Sequence, residues 1–244
     1  IEGSKKAMAS MSAILGDPDR IHAIAKDFVE HYEERVTEGS TVAGKAMFVS
    51  SSRAIAYQLY QELQVLRPAW FDQLDCAEGE TLTDKERDEL KPSERVRMVM
   101  TRNKDDEKTL WDLIGTKDDR KDLDRQFKQA KSNFKIAIVV DMWLTGFDVP
   151  FLDTMYIDKP VSEHNLIQTI SRVNRKFEGK NKGLIVDYIG IKTSMNKALK
   201  QFDGGKGDNF EDIAASIVEV RNHLDLLNKA FHHFDSSGYF TGDP

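Results

Sequence analysis

The stretch Ile136-Ala-Ile-Val-Val140, running directly into Asp141-Met-Trp-Leu-Thr-Gly146-Phe-Asp148-Val-Pro150, decides how the rest of the chain is read. Five consecutive apolar residues, most of them β-branched, have the length of a strand and suit one covered on both faces, as in a parallel sheet. In open α/β sheets ligands bind outside the carboxyl ends of strands, and the turn after Val140 lies at such an end. Gly146 lets a backbone or ligand approach closely. Asp148 offers a carboxylate to a ribose hydroxyl or to a neighbouring arginine, and Pro150 stiffens the exit.

Working outward, Thr154–Ile157 reads as a further strand, Ser162 as the cap of a helix reaching about Phe177, and Gly183–Ile189 as another strand. Upstream, Ala46–Val49 is a short apolar run closed by Ser50-Ser51-Ser52, followed by a helix through Ala54, Leu59, Leu63 and Leu66 that Pro68 limits. Asp17 suits an N-cap, Pro18 the first helical position and Asp19 the helix dipole, with Ile21, Ala25, Phe28, Tyr32 and Val36 at helical spacing behind them. Residues 71–95 read as an acidic loop, and Val96–Thr101 as a strand. Residues 105–130 read as a solvated, charged region with helical stretches around Trp111 and Leu123–Phe127. Strands alternating with helices imply a doubly wound, mostly parallel α/β layer. Residues 1–16 read as a leader or linker, 17–202 as the α/β domain, and 203–244 as the start of a helical C-terminal extension. That extension follows the hinge Gly204-Gly205-Lys206-Gly207 and carries an apolar stripe from Phe210 to Phe234.

At 244 residues, 40% hydrophobic and 31% charged, the chain can hold one or two domains with a broad solvated surface. No run approaches the roughly 18 apolar residues of a membrane span. The start, Ile1 to Ser10, lacks the basic-then-apolar pattern of a secretory signal, and Ile rather than Met at position 1 suggests an excised segment. The single cysteine, Cys76, excludes a disulfide scaffold or a cysteine-based zinc site and fits a reducing cytoplasm; the six histidines show no ligand spacing. The net charge of −6 is unevenly placed: residues 161–200 hold eight basic and three acidic side chains, a local +5. Because fields are screened within roughly 10 Å at 0.1 M salt, a basic face on an acidic chain can still bind phosphates.

On the helix after Ser162, Leu166, Ile170, Val173 and Phe177 fall on one side, and Gln168, Arg172 and Arg175 on the other. Such spacing is that of a solvated basic face. It also suits triphosphate recognition, since arginine stays charged and makes forked hydrogen bonds to phosphate oxygens. Gly39-Ser-Thr-Val-Ala-Gly44-Lys45-Ala46 imitates a phosphate-binding loop, but Ala46 has no hydroxyl for magnesium, and a helix precedes and a strand follows, the reverse of the working arrangement. Glu178-Gly-Lys180 has a nuclease-like Glu-x-Lys spacing but lies in a polar loop, and it is read as structural.

Gly146-Phe-Asp148-Val-Pro150 after a buried strand, then Gln168-x-x-x-Arg172-x-x-Arg175 on a helix, resembles motifs V and VI of superfamily 2 helicases, with Phe48-Val-Ser-Ser-Ser-Arg53 where motif IV would fall. Together with Met155-Tyr-Ile-Asp-Lys-Pro160 and Gly183-Leu-Ile-Val-Asp-Tyr-Ile-Gly190, the chain resembles more closely the R subunit, the motor and cleavage subunit, of type I restriction–modification enzymes. The resemblance covers roughly residues 15–200. It implies the second RecA-like domain of an ATP-dependent double-stranded DNA translocase, cytoplasmic in a bacterium or archaeon. The implied partners are a first RecA-like domain of the same parent chain and separate modification (methyltransferase) and specificity subunits.

The resemblance assigns Arg175 as an arginine finger and Arg172 as its companion on the phosphates. It places Gln168, Gly146 and Asp148 at the nucleotide, and Ser50, Ser51, Arg53, Asp141 and Thr145 against the DNA backbone. ATP and Mg2+ are implied, with the magnesium ligands, phosphate loop, water-orienting residue and nuclease outside this chain, so the segment alone is expected to be inactive. Departures from the helicase pattern are Val140, where many members carry Thr before the motif V Asp, and Ser171, where Gly is usual. The alternatives are another superfamily 2 motor and a non-catalytic α/β interaction domain. The motor readings require the 146–148 turn and Arg172/Arg175 to share one edge.

Overall fold

The computed structural model describes residues 13–144, 146–161, 168–169, 171–173, 175–180 and 183–190. The chain divides into two compact units, Ile1–Ala198 and Leu199–Pro244. The second, with the expected C-terminal helix, lies outside the described residues, as does the expected helix start at Ser162.

Helix α1 (Pro18–Thr37) leads into β1 (Lys45–Ser50), and α2 (Arg53–Leu66) follows. Asp17 caps α1 as expected, its carboxylate accepting from the Arg20 N–H at 3.0 Å, and Ser52 caps α2 through the Ile55 N–H. A 3-10 turn (Pro68–Phe71), α3 (Asp84–Glu89), β2 (Val96–Val99), α4 (Lys108–Ile114) and α5 (Lys117–Phe127) come next, then β3 (Ile136–Val139), β4 (Leu152–Asp158) and β5 (Leu184–Asp187). Helix α3 falls where a loop is expected. It buries none of its residues and is held at its start by a capping box between Thr83 and Glu86, a local signal independent of hydrophobic periodicity.

The five strands form one wholly parallel sheet in the order β2-β3-β1-β4-β5. Ile136–Val139 is an interior strand with every residue buried, although the middle position belongs to β1. Alternate residues feed two cores. Ala46, Phe48, Ile136, Ile138 and Tyr156 meet α1, α2 and α4 on one face. Met47, Val49, Ala137, Val139, Met155 and Ile157 meet α5, the 140–151 crossover and Val173 on the other. The chain moves outward from β1 to β2 across the first face; from β2 it passes α4 on that face, then returns by α5 and the 140–151 crossover across the second to β3 and β4. Reversal of direction and change of face go together, as right-handed crossovers require. The fold is therefore the doubly wound parallel α/β layer that the alternation implies.

Lys45 shows why the imitation phosphate loop cannot work. Its side chain is fully buried, donates to the Phe134 carbonyl and lies 5.0 Å from the centre of the Phe127 ring. Burial, and then the charge of Lys135, hold its pKa well below the usual lysine value.

Candidate functional site

The crossover from β3 to β4 carries the site. Trp143 adopts a positive φ of 69°, a conformation costly for a bulky residue, and is held there by its packing. Its ring stacks on Phe147 at 4.0 Å, and both pack on Phe127 of α5. Lys128 adds its ammonium over the Phe147 ring at 4.9 Å. This aromatic pack anchors one side of the crossover and leaves Gly146 and Asp148 exposed between its buried residues. Gly146 has a φ of 72° and nothing within 4 Å of where a Cβ would stand, so the turn needs glycine and leaves open space beside it.

Gln168, Thr169 and Ser171–Val173 are helical, whereas Arg175 and Lys176 are not, so the helix expected to reach Phe177 stops short. Its apolar periodicity continues into a turn: the Lys180 N–H bonds the Phe177 carbonyl at 3.0 Å around Gly179, whose φ of 77° reverses the chain. Arg172 donates from a terminal nitrogen to the Phe147 carbonyl at 3.1 Å. Its Nε is buried, with no hydrogen-bond partner among the described residues. Arg175 faces the Asp148 carboxylate at 3.3 Å, with side chains 41% and 54% exposed. Gln168 is half-buried, and its backbone carbonyl accepts from the Ser171 hydroxyl at 2.7 Å. The structure thus brings Arg172, Arg175, Gly146 and Asp148 to one edge, with Asp148 facing Arg175.

The expected DNA-facing residues follow the carboxyl ends of β1 and β3. Ser50 is fully buried as the last residue of β1, its hydroxyl turned to the Ser52 carbonyl at 3.3 Å. Ser51 is half-buried with an unpartnered hydroxyl oxygen. Arg53 forks onto the Asp106 carboxylate and donates to the Thr101 carbonyl, so its charge is neutralised within the chain. Burial pushes the Asp106 pKa up, but the Asn103 N–H and Arg53 outweigh it and hold it below the usual value. Asp141 is exposed and paired with Lys159, whose ammonium also reaches the Val140 carbonyl at 2.9 Å. Thr145 lies outside the described residues. A further cation at this end is Lys159, which spacing does not single out because its partners lie on a different strand connection.

Among the described residues no three His, Cys, Asp or Glu side chains converge as a metal-ligand set, and no helix is long and apolar enough to cross a membrane.

The class is that of a doubly wound, wholly parallel α/β domain, here with an arginine-bearing segment against its β3–β4 crossover. The family model for type I restriction enzyme subunit R domain 3 matches residues 42–190, which span this whole arrangement, and the chain belongs to that family. It is 36% identical over 223 residues to the type I restriction enzyme HindI endonuclease subunit of Haemophilus influenzae, covering 89% of this chain and 19% of that one. It is 34% identical over 236 residues to a Methanocaldococcus jannaschii protein assigned as the MjaIXP type I restriction endonuclease subunit, covering 96% and 20%. The chain therefore spans about a fifth of the length of these relatives. Among solved structures it is similar to a fragment assigned to the HsdR subunit of a type I restriction enzyme from Vibrio vulnificus YJ016, at 17% identity and a TM-score of 0.46, covering 73% of this chain and 30% of that one.

Proposed function

We propose that this chain is the second RecA-like motor domain of a type I restriction R subunit, supplying the arginine-finger half of an ATP site in a double-stranded DNA translocase that acts before cleavage. One observation carries the reading: Arg172 and Arg175 converge on the Gly146–Asp148 turn. An interaction domain has no need of that convergence. The residues fit a polyphosphate. The buried Arg172 Nε lacks an acceptor, and buried donors are rarely left so. Gly146 leaves open space at the same turn, and the half-exposed Arg175 faces an exposed carboxylate that a phosphate oxygen can replace.

ATP with Mg2+, its metal ligands and phosphate loop contributed by the first RecA-like domain upstream, supplies the phosphoryl group. Arg175 stabilises the charge that develops on it from across the interdomain cleft, and Arg172, fixed by the Phe147 carbonyl, holds a second guanidinium beside it. Gln168 senses the nucleotide. The carboxyl-end loops, with Ser51, Arg53, Asp141, Thr145 and Lys159, face the DNA backbone, whose phosphates compete with Asp106 for Arg53 and with Asp141 for Lys159, so binding is salt-sensitive and indifferent to sequence. Sequence choice lies in a specificity subunit, methylation in a modification subunit, and the setting is the cytoplasm of a bacterium or archaeon.

The test is DNA-stimulated ATP hydrolysis by the full R subunit assembled with those partners. Arg175→Ala is expected to lower the rate about 10³-fold or more with DNA binding intact, the usual worth of an arginine finger. Near-normal hydrolysis would remove Arg175 from the chemistry and leave the domain as a DNA grip or docking surface.

A further inference from the structure

Lys180, the basic end of the Glu178-Gly-Lys180 triplet, touches both halves of the candidate site. Its ammonium donates to the Pro150 carbonyl at 3.0 Å and to the Val173 carbonyl at 2.5 Å. Pro150 ends the crossover segment that carries Gly146 and Asp148. Val173 is the last described helical residue, between Arg172 and Arg175. The same turn makes a second, independent contact with the crossover: the Phe177 ring packs edge-on against Phe151 at 5.5 Å. A third close approach fixes the spacing from beneath. A Cβ on Gly183 would lie 2.3 Å from the Val173 carbonyl oxygen, so the chain leaving the turn is pressed against the same carbonyl that Lys180 binds.

The chemistry of the clamp is directional. Carbonyls at the end of a helix have no intrahelical donor and carry partial negative charge, which a cation satisfies. Partial burial lowers the Lys180 pKa, and the buried Asp153 opposes that shift, which favours the charged form the two carbonyls require. Asp153 is itself held by the Val42 and Ala43 N–H groups.

We infer that Lys180 is a positioning residue, tying the arginine-bearing segment to the Gly146–Asp148 crossover so that Arg172 and Arg175 are presented to a nucleoside triphosphate at a fixed separation from that turn. This rests on the motor reading above. Its hydrogen bonds among the described residues are to backbone carbonyls, so Lys180 acts through the arginines.

The experiment is a double-mutant cycle in the full R subunit assembled with its modification and specificity subunits, read as kcat and KM for DNA-stimulated ATP hydrolysis. Lys180→Met keeps the length and removes the donors. It is expected to lower kcat about 10–100-fold, the usual cost of a displacement near 1 Å at a reacting centre. In an Arg175→Ala background it is expected to lower kcat clearly less than in wild type, because one of the two groups it positions is gone. Lys180→Arg, which keeps the charge and donors, is expected to recover most of the loss. Should Lys180→Met fail to assemble, Lys180→Gln replaces it in the same cycle, with a smaller loss and the same non-additivity expected. Unchanged kcat in Lys180→Met, or losses that multiply with those of Arg175→Ala, would overturn the positioning role while a large effect of Arg175→Ala alone leaves the motor reading standing. No effect of Arg175→Ala overturns both.

Discussion

Lys135 is a residue whose energetics can be isolated. It is buried, its ammonium donates to the Ala130 carbonyl at 2.6 Å, and burial pulls its pKa down from 10.5 to about 8. Between those two values the unfolded chain holds a proton that the folded chain has lost, so raising the pH stabilises the fold; below about 8 both forms are protonated and the slope vanishes. Burial raises the pKa of Tyr32, Tyr60, Tyr156 and Tyr188. These four act in the opposite sense once unfolded tyrosines ionise near about pH 10. The measurement is therefore the difference in urea-unfolding free energy between the wild-type chain and Lys135→Met. That difference is expected to move in favour of wild type from pH 8 upward, and a flat difference would contradict the assignment. Nothing in the sequence around Lys135 separates it from a surface lysine, since its burial follows from the strand register that places Ile136 beside Ala46 and Val96. The placement of Arg172 on a helix was legible because its spacing is local, whereas Arg175 lies past the end of that helix. The burial of Ser50 was not legible, because a serine closing an apolar run reads alike whether the strand ends before or after it.

At the scale of elements, α1 was legible nearly to the residue, because the Asp17-Pro18 pair sets its start by local chemistry. Asp17→Ala removes the acceptor for the Arg20 N–H and is expected to cost about 1 kcal/mol in urea unfolding. Helix α3 was missed because it is polar all round and buries nothing, so it has no periodicity to find; its signal is the Thr83–Glu86 capping box. The segment before Arg175 was read too long for the opposite reason. Val173 and Phe177 keep helical spacing, but Phe177 packs on Phe151 from a turn rather than from a helix. Where that turn returns to β5, Gly183 lies too close to Val173 for any side chain. Gly183→Ala must displace backbone and is expected to destabilise the chain by about 1–3 kcal/mol, the usual cost of overpacking. An unchanged unfolding midpoint would show that the return strand can shift freely.

At the scale of the whole molecule, the alternation of apolar runs with helical stretches carried the fold class, and the two cores confirm it by taking alternate residues of each strand. Strand order was not legible, since which strands pair depends on crossovers and not on any one segment. The order nevertheless has a consequence for how the molecule opens. β1 has a neighbour on each side and no exposed residue, whereas β2 and β5 each keep one free edge in the described sheet. Solvent reaches β1 only after another strand has been peeled away, so opening there tracks the global transition. In deuterium-exchange mass spectrometry the amides of Ala46–Val49 should be the slowest to gain mass. Those of the 140–151 crossover, outside any strand ladder, should label well before them and so report local opening rather than the survival of the fold.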